Sequence, residues 1–235
     1  MTAEELMDQY KKVREEEGKN GGLGLITNPQ AETDKILLVG MNPSGQGDGL
    51  HNYCECKRDN FWGPKFEMMG DYNDKCGYID LLPIRNGRQE AVHSDKEINY
   101  FGKLLAHTRD YIEELRPRLI IFANTANYYW GFKQETPWMG YTFKRVNSPL
   151  EGERRYWKLY QITGIIPTGV NRYVNNTNLI GTYFLQYRQH KDRNGIPVSE
   201  EKKLRFVDIQ TIAKFIDSDW EKKLYNYAEH NQRTD

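Results

Sequence analysis

The chain of 235 residues has no apolar run approaching the roughly 20 residues that a membrane-spanning helix needs. Its first residues, MTAEELMDQYKKVREEE, are charged where a signal peptide is apolar. A soluble, cytoplasmic protein with no membrane partner is therefore expected. Cysteine is scarce: Cys54, Cys56 and Cys76 are odd in number and lie close together in sequence, so they cannot all pair within one chain, which argues against a secreted disulfide framework. An excess of one charge is also missing, with 33 Lys+Arg against 33 Asp+Glu. That balance argues against holding nucleic acid by bulk electrostatics alone and leaves room only for a local basic patch. Repeats, low-complexity tracts and long Pro/Gly/Ser linkers are absent, so one domain over 1–235 is the simplest organisation.

Aromatic residues are abundant: 30 in all, 16 of them Tyr. They serve cores, and they also stack on bases. Residues 3 to 17 read as a polar helix, followed by a glycine-rich break that ends at Gly24. Three short apolar runs read as strands buried on both faces: Lys35–Gly40, Gly77–Ile84 with a stop at Pro83, and Arg118–Ala123. Between the second and third, Ser94 and Glu97 form a capping-box pattern. It opens a helix whose Ile98, Phe101, Leu104, Leu105, Tyr111, Ile112 and Leu115 share one face, and Pro117 ends it.

Alternation in Tyr141–Val146 and Tyr156–Ile162 predicts an antiparallel hairpin, an insertion within 137–175. Asn178–Leu185 then reads as the last strand, and Ser199 as the cap of a final helix carrying Leu204, Ile209, Ile212 and Ile216. This order predicts an α/β fold, three-layer α/β/α, with a short central parallel sheet and an inserted antiparallel hairpin.

Ligands of open parallel sheets bind beyond the carboxyl ends of the strands. Three segments sit there: Gly40-Met41-Asn42-Pro43-Ser44-Gly45, Asp80-Leu81-Leu82-Pro83, and Asn124-Thr125. The first runs into a loop with Gly45, Gly47 and Gly49, followed by Tyr53, Phe61 and Trp62. Its backbone amides could cradle a phosphate or a sugar, or the glycines could serve the turn alone. It lacks the Gly-Lys-Ser/Thr of a P-loop and the spacing of a dinucleotide fingerprint, so no cofactor is expected.

In order and spacing these segments resemble the uracil-DNA glycosylase superfamily over about residues 35 to 132. Gly40-Met41-Asn42-Pro43-Ser44 is similar to the first motif of the branches that carry Asn, the mismatch-type and single-strand-selective enzymes. Tyr78-Ile79-Asp80-Leu81-Leu82 resembles the Asp-Leu segment ending the second strand of the mismatch-type branch, and Leu119–Gly131 the third strand and the helix start after it. The resemblance implies a DNA glycosylase that hydrolyses the N-glycosidic bond of a flipped, damaged or mismatched base, with DNA as partner and repair as role. It implies that Asn42 positions the attacking water and that Tyr53 or Phe61 stacks on the base. Gly40, Met41, Pro43, Ser44, Asp80, Leu81 and Asn124 would line the base pocket, Asp80 reading the base edge with the Met41 and Asn42 backbone.

The superfamily's last strand usually ends in His-Pro-Ser, whose His donates to the leaving base. No such motif is present, and Thr182 or Tyr183 stands where the His is expected. By analogy with one oxyanion donor, its loss costs about 2.7 to 4 kcal/mol of transition-state stabilisation. Two alternatives therefore stand beside catalysis: a non-catalytic nucleic-acid- or nucleotide-binding member of the fold, and a protein-interaction role built on the aromatic hairpin. Lys144, Arg145, Arg154, Arg155 and Arg172, interleaved with Tyr141, Phe143, Tyr156, Trp157 and Tyr173, suit a nucleic-acid backbone with bases stacked beside it. A solvated hairpin face is the plainer reading of the same residues. His51, Cys54, Cys56 and Cys76 have poor spacing for a metal, and none is expected. Of the other histidines, only His190 lies near the last strand.

Overall fold

In the computed structural model the described residues are 1–28, 36–56, 62–86, 98–122, 139–147, 157–166, 176–187, 197, 199 and 203–231. The first helix, α1 (Ala3–Glu16), starts where Thr2 accepts from the Glu5 amide and the Glu5 carboxylate accepts from the Thr2 amide. This reciprocal cap satisfies two of the donors that a helix start leaves open. The helix is polar on one side only, since Leu6, Met7, Tyr10 and Val13 are buried. Strand β1 (Gly24–Thr27) follows it, then β2 (Ile36–Gly40), every residue of which is buried.

Strand β3 (Gly49–Asn52), helix α2 (Gly63–Met69), strand β4 (Cys76–Asp80), helix α3 (Ile98–Leu115) and strand β5 (Leu119–Phe122) come next. The Ser94–Glu97 capping box lies outside the described residues. Strands β6 (Tyr141–Arg145), β7 (Trp157–Ile165) and β8 (Tyr183–Tyr187) precede the last helix, α4 (Phe206–Asn231).

The main sheet has six strands in the order β4-β2-β5-β8-β7-β6. The first four run parallel to one another, and β7 and β6 extend the sheet by antiparallel pairing. This is an α/β fold around a mixed sheet. The hairpin expected as an insertion is thus continuous with the sheet, because β7 pairs directly with β8. A second, two-stranded sheet pairs β1 with β3 in parallel. It was not expected, since both strands are short and lie in glycine-rich sequence.

Alternation decides which face each strand residue serves. Leu37, Val39, Ile79, Ile120, Phe122 and Phe184 pack with residues of α1 and α3, whereas Leu38, Tyr78, Ile121 and Leu185 pack with Phe66 and Met69 of α2 and Ile209, Ile212 and Ile216 of α4.

Two boundaries differ from expectation for local reasons. Helix α4 begins at Phe206 rather than at Ser199, because the Asp208 carboxylate accepts from the Arg205 amide at 3.0 Å and so caps the helix there. The last strand begins at Tyr183 rather than at Asn178. Thr182 N–H bonds Leu179 O at 2.9 Å and Gly181 has φ of 91°, a turn that a strand cannot contain. Among the described residues no helix is long and apolar enough to cross a membrane.

Candidate functional site

The chain leaves β2 for β4 on one side and returns to β5 on the other, so the order of strands reverses next to β2. Ligand crevices of parallel sheets form at such a point. Gly40 pairs with Asp80, and both strands then turn together: Leu81 N–H donates to Gly40 O at 3.0 Å and Leu82 N–H to Met41 O at 2.9 Å.

Asn42 follows directly. Its Nδ2 donates to Asn86 O at 3.0 Å and Ile84 O at 3.2 Å, with a longer contact to Pro43 O at 3.4 Å. Carbonyls only accept, so the amide nitrogen must face them, and Oδ1 is the end left to accept a hydrogen bond from a ligand or water. Asn42 is half-buried, whereas Met41, Asp80 and Leu81 are at most 1% exposed and belong to the packed interior.

The glycine-rich loop is stitched to the segment after β4. Gly24 N–H bonds Pro83 O, Gly49 N–H bonds Leu23 O, Arg85 N–H bonds Gly22 O and Asn86 N–H bonds Pro43 O. Gly22 has to be glycine, because a Cβ there would lie 2.2 Å from the Gly47 carbonyl oxygen. Helix α1 clamps the same loop. Arg14 donates through Nη1 and Nη2 to the two Asp48 oxygens at 2.6 and 2.9 Å, and Asp48 also accepts from Leu23 N–H at 2.9 Å. The Arg14 guanidinium hydrogen-bonded to Asp48 holds that carboxyl below its ordinary range and raises the pKa of Arg14 in turn.

Arg85 fills the centre of this arrangement. It donates through Nη1 to Ser44 O at 2.5 Å, through Nη2 to His51 Nε2 at 2.6 Å, and weakly through Nε to Leu23 O at 3.4 Å. A guanidinium cannot accept, so His51 Nε2 carries the lone pair and Nδ1 carries the proton, facing Glu55 at 3.4 Å. Sequence reading did not single out Arg85, Arg14 or Asp48, and weighed His51 only as a metal ligand. The only available signal was the glycines, which mark a close approach without saying of what.

A buried polar chain holds the segment after β4 from below. The Tyr10 hydroxyl and Thr108 Oγ1 are 2.7 Å apart, and Thr108 Oγ1 lies 2.9 Å from Leu81 O and 3.2 Å from Leu104 O. Burial, with Asp80 among the nearby negative groups, pushes the Tyr10 phenol well above its ordinary range.

Several expected site residues lie elsewhere. Tyr183 is the first residue of β8, paired with Leu119 at the amino end of the sheet. It is 3% exposed and packs edge-on against Phe215, so it cannot stand in for a histidine at the carboxyl end beside Asn42. The cause is the strand's late start, which moves its carboxyl end from Leu185 to Tyr187. Tyr53 is 5% exposed and stacked on Tyr78 at 5.2 Å, with Phe66 edge-on, as part of the core.

Lys144 and Arg145 are exposed on β6 at the sheet edge, Arg145 over the Tyr160 ring. They stand four strand spacings from β2, about 19 Å at roughly 4.8 Å each. Phe61, Asn124, Arg154, Arg155, Arg172 and His190 lie outside the described residues. Among the described residues no group of three or more His, Cys, Asp or Glu side chains is arranged to hold a metal. No protein-family model matches the chain, and a search of curated proteins finds no significant match.

Proposed function

We propose that this chain is a DNA glycosylase-like protein of the uracil-DNA glycosylase type, a three-layer α/β/α domain that hydrolyses the N-glycosidic bond of a flipped base. The observation that carries the reading is the orientation of Asn42. Its amide nitrogen is committed to the Ile84 and Asn86 carbonyls, which turns Oδ1 into a fixed acceptor at the strand-order reversal. A fixed acceptor there aligns a water for attack on the sugar carbon as the bond to the base breaks, with the electron pair leaving on the base. A neutral amide removes no proton in the ground state, so the barrier is lowered chiefly by water alignment, and the proton the water loses as its oxygen bonds the sugar carbon ends on the departing base.

The test is base release by wild type and Asn42→Ala from labelled oligonucleotides carrying uracil, hypoxanthine, xanthine or mismatched thymine, single- and double-stranded. Abasic product from wild type, reduced at least tenfold by Asn42→Ala, is expected. Binding without product in any substrate refutes the catalytic reading. It would favour the second one, a non-catalytic nucleic-acid binder, which gains weight from the position of Tyr183 at the opposite end of the sheet.

A further inference from the structure

Arg85 is a half-buried cation whose three partners among the described residues are all neutral: two backbone carbonyls and an imidazole nitrogen. No carboxylate among the described residues is within ion-pair distance of it. Glu55 reaches only the far nitrogen of His51, and Asp48 is taken by Arg14. Holding a guanidinium partly out of water without a counter-charge is unfavourable unless an anion completes the site.

The surroundings keep that position open. A Cβ on Gly45 would lie 3.2 Å from Nη1, and one on Gly49 would lie 3.1 Å from Nη2 and 2.7 Å from His51 Nε2. Side chains at either place would cover the two guanidinium N–H groups that remain. Gly45 and Gly47 have φ of 93° and 73°, and Gly45, Gln46 and Gly47 donate no backbone N–H to another described residue. A forked cation beside the open Gly45 backbone, with N–H groups still to be satisfied, suits the oxygens of a phosphate group.

We propose that Arg85, held by His51 and Ser44 and flanked by the Gly45 backbone, is a phosphate-binding site that grips the backbone of the strand whose base is presented to Asn42. The identity of the phosphate as a phosphodiester rests on the glycosylase reading; the site itself does not. His51 is a positioning residue, since its Nε2 lone pair fixes the fork and leaves its edge outward.

Two measurements on the full chain separate the alternatives. In the first, fluorescence anisotropy of a labelled oligonucleotide is followed against salt for wild type, Arg85→Gln and Arg85→Lys. Arg85→Gln is expected to weaken binding at least tenfold and to lower the salt slope by about 0.7 to 1. Arg85→Lys is expected to keep the slope while losing part of the affinity, because it keeps the charge and loses the fork. In the second, inorganic phosphate is titrated into wild type while the ring nitrogens of His51 are followed by NMR, with saturable movement expected.

Unchanged oligonucleotide affinity in Arg85→Gln together with an unmoved His51 overturns the site, even if wild type releases bases. A moving His51 without oligonucleotide binding keeps the site, makes its ligand a free phosphate compound and removes the glycosylase reading. If the variants fail to fold, the wild-type phosphate titration decides alone.

Discussion

The chain Tyr10–Thr108–Leu81 joins α1, α3 and the segment after β4 through buried groups, and replacing Thr108 by Val tests it without opening a cavity. Valine has nearly the same shape, so the loss is polar. The Tyr10 hydroxyl is left 2.7 Å from a methyl and Leu81 O loses its donor at 2.9 Å. Each buried group left unsatisfied costs about 1 to 3 kcal/mol, which puts Thr108→Val near 3 kcal/mol. Tyr10→Phe removes one partner and leaves Thr108 donating to the backbone, at a cost of about 1 kcal/mol. The double variant abolishes the pair and orphans only Leu81 O, so its cost should fall short of the summed singles by about 1 kcal/mol. Urea unfolding measures all three, provided the m-value is unchanged. Thr108→Val no worse than Tyr10→Phe, or additivity within about 0.3 kcal/mol, would refute a buried chain that depends on Thr108.

Burial pushes the Cys76 thiol up to about 12 from an ordinary 9.0. The unfolded chain releases that proton first, so stability should fall as pH rises above 9, with a slope of about 1.4 kcal/mol per pH unit from this group. Cys76→Ala, followed by denaturation between pH 8 and 10, should lower stability at neutral pH and flatten that slope; an unchanged slope would discount the thiol. Gly22→Ala drives a methyl into the Gly47 backbone, which has no flexible end to move aside, and should destabilise by about 1 to 3 kcal/mol. Hydrogen exchange should then quicken at Leu23 and Gly49, and protection equal to wild type would show that the close approach is dispensable.

The parallel strands were legible because a strand buried on both faces must be a continuous apolar run, and Ile36–Gly40 and Leu119–Phe122 are such runs. The amphipathic α3 was legible through its spacing for the same reason. What escaped was set by tertiary partners. The β1–β3 sheet has too few residues to show a period, and the start of α4 depends on a single carboxylate, that of Asp208. The end of β8 was misplaced because Leu179 is apolar, though it packs from a turn. The loss of Tyr183 as a site residue followed from that one boundary. Asn42 can be singled out as a candidate because the chain order puts it after a buried strand, whereas Arg85 cannot, because its guanidinium reaches its partners only across the fold.

The surroundings of Asn42 also explain why an amide and not a carboxylate stands there, and this yields a further test. Asn42→Asp would place an oxygen where Nδ2 now sits, 3.0 and 3.2 Å from the Asn86 and Ile84 carbonyl oxygens. Three acceptors facing one another take away the donor that Ile84 O and Asn86 O now share, and the repulsion should cost about 1 to 3 kcal/mol near neutral pH. A protonated carboxyl can donate again, so the folded state should hold this proton more tightly than the unfolded chain does. The folded pKa is then raised above the ordinary value of about 3.9, and the penalty should be small below pH 4 and grow as pH rises. Unfolding of wild type and Asn42→Asp at pH 4 and pH 7 measures the difference, and a penalty independent of pH would show that the 84–86 segment moves aside. In that event the aspartate would be free to act as a base, and Asn42→Asp should release bases faster than wild type. If the penalty follows pH, an Asp at this position is restrained by the same carbonyls that now orient the amide, and Asn42→Asp should be slower.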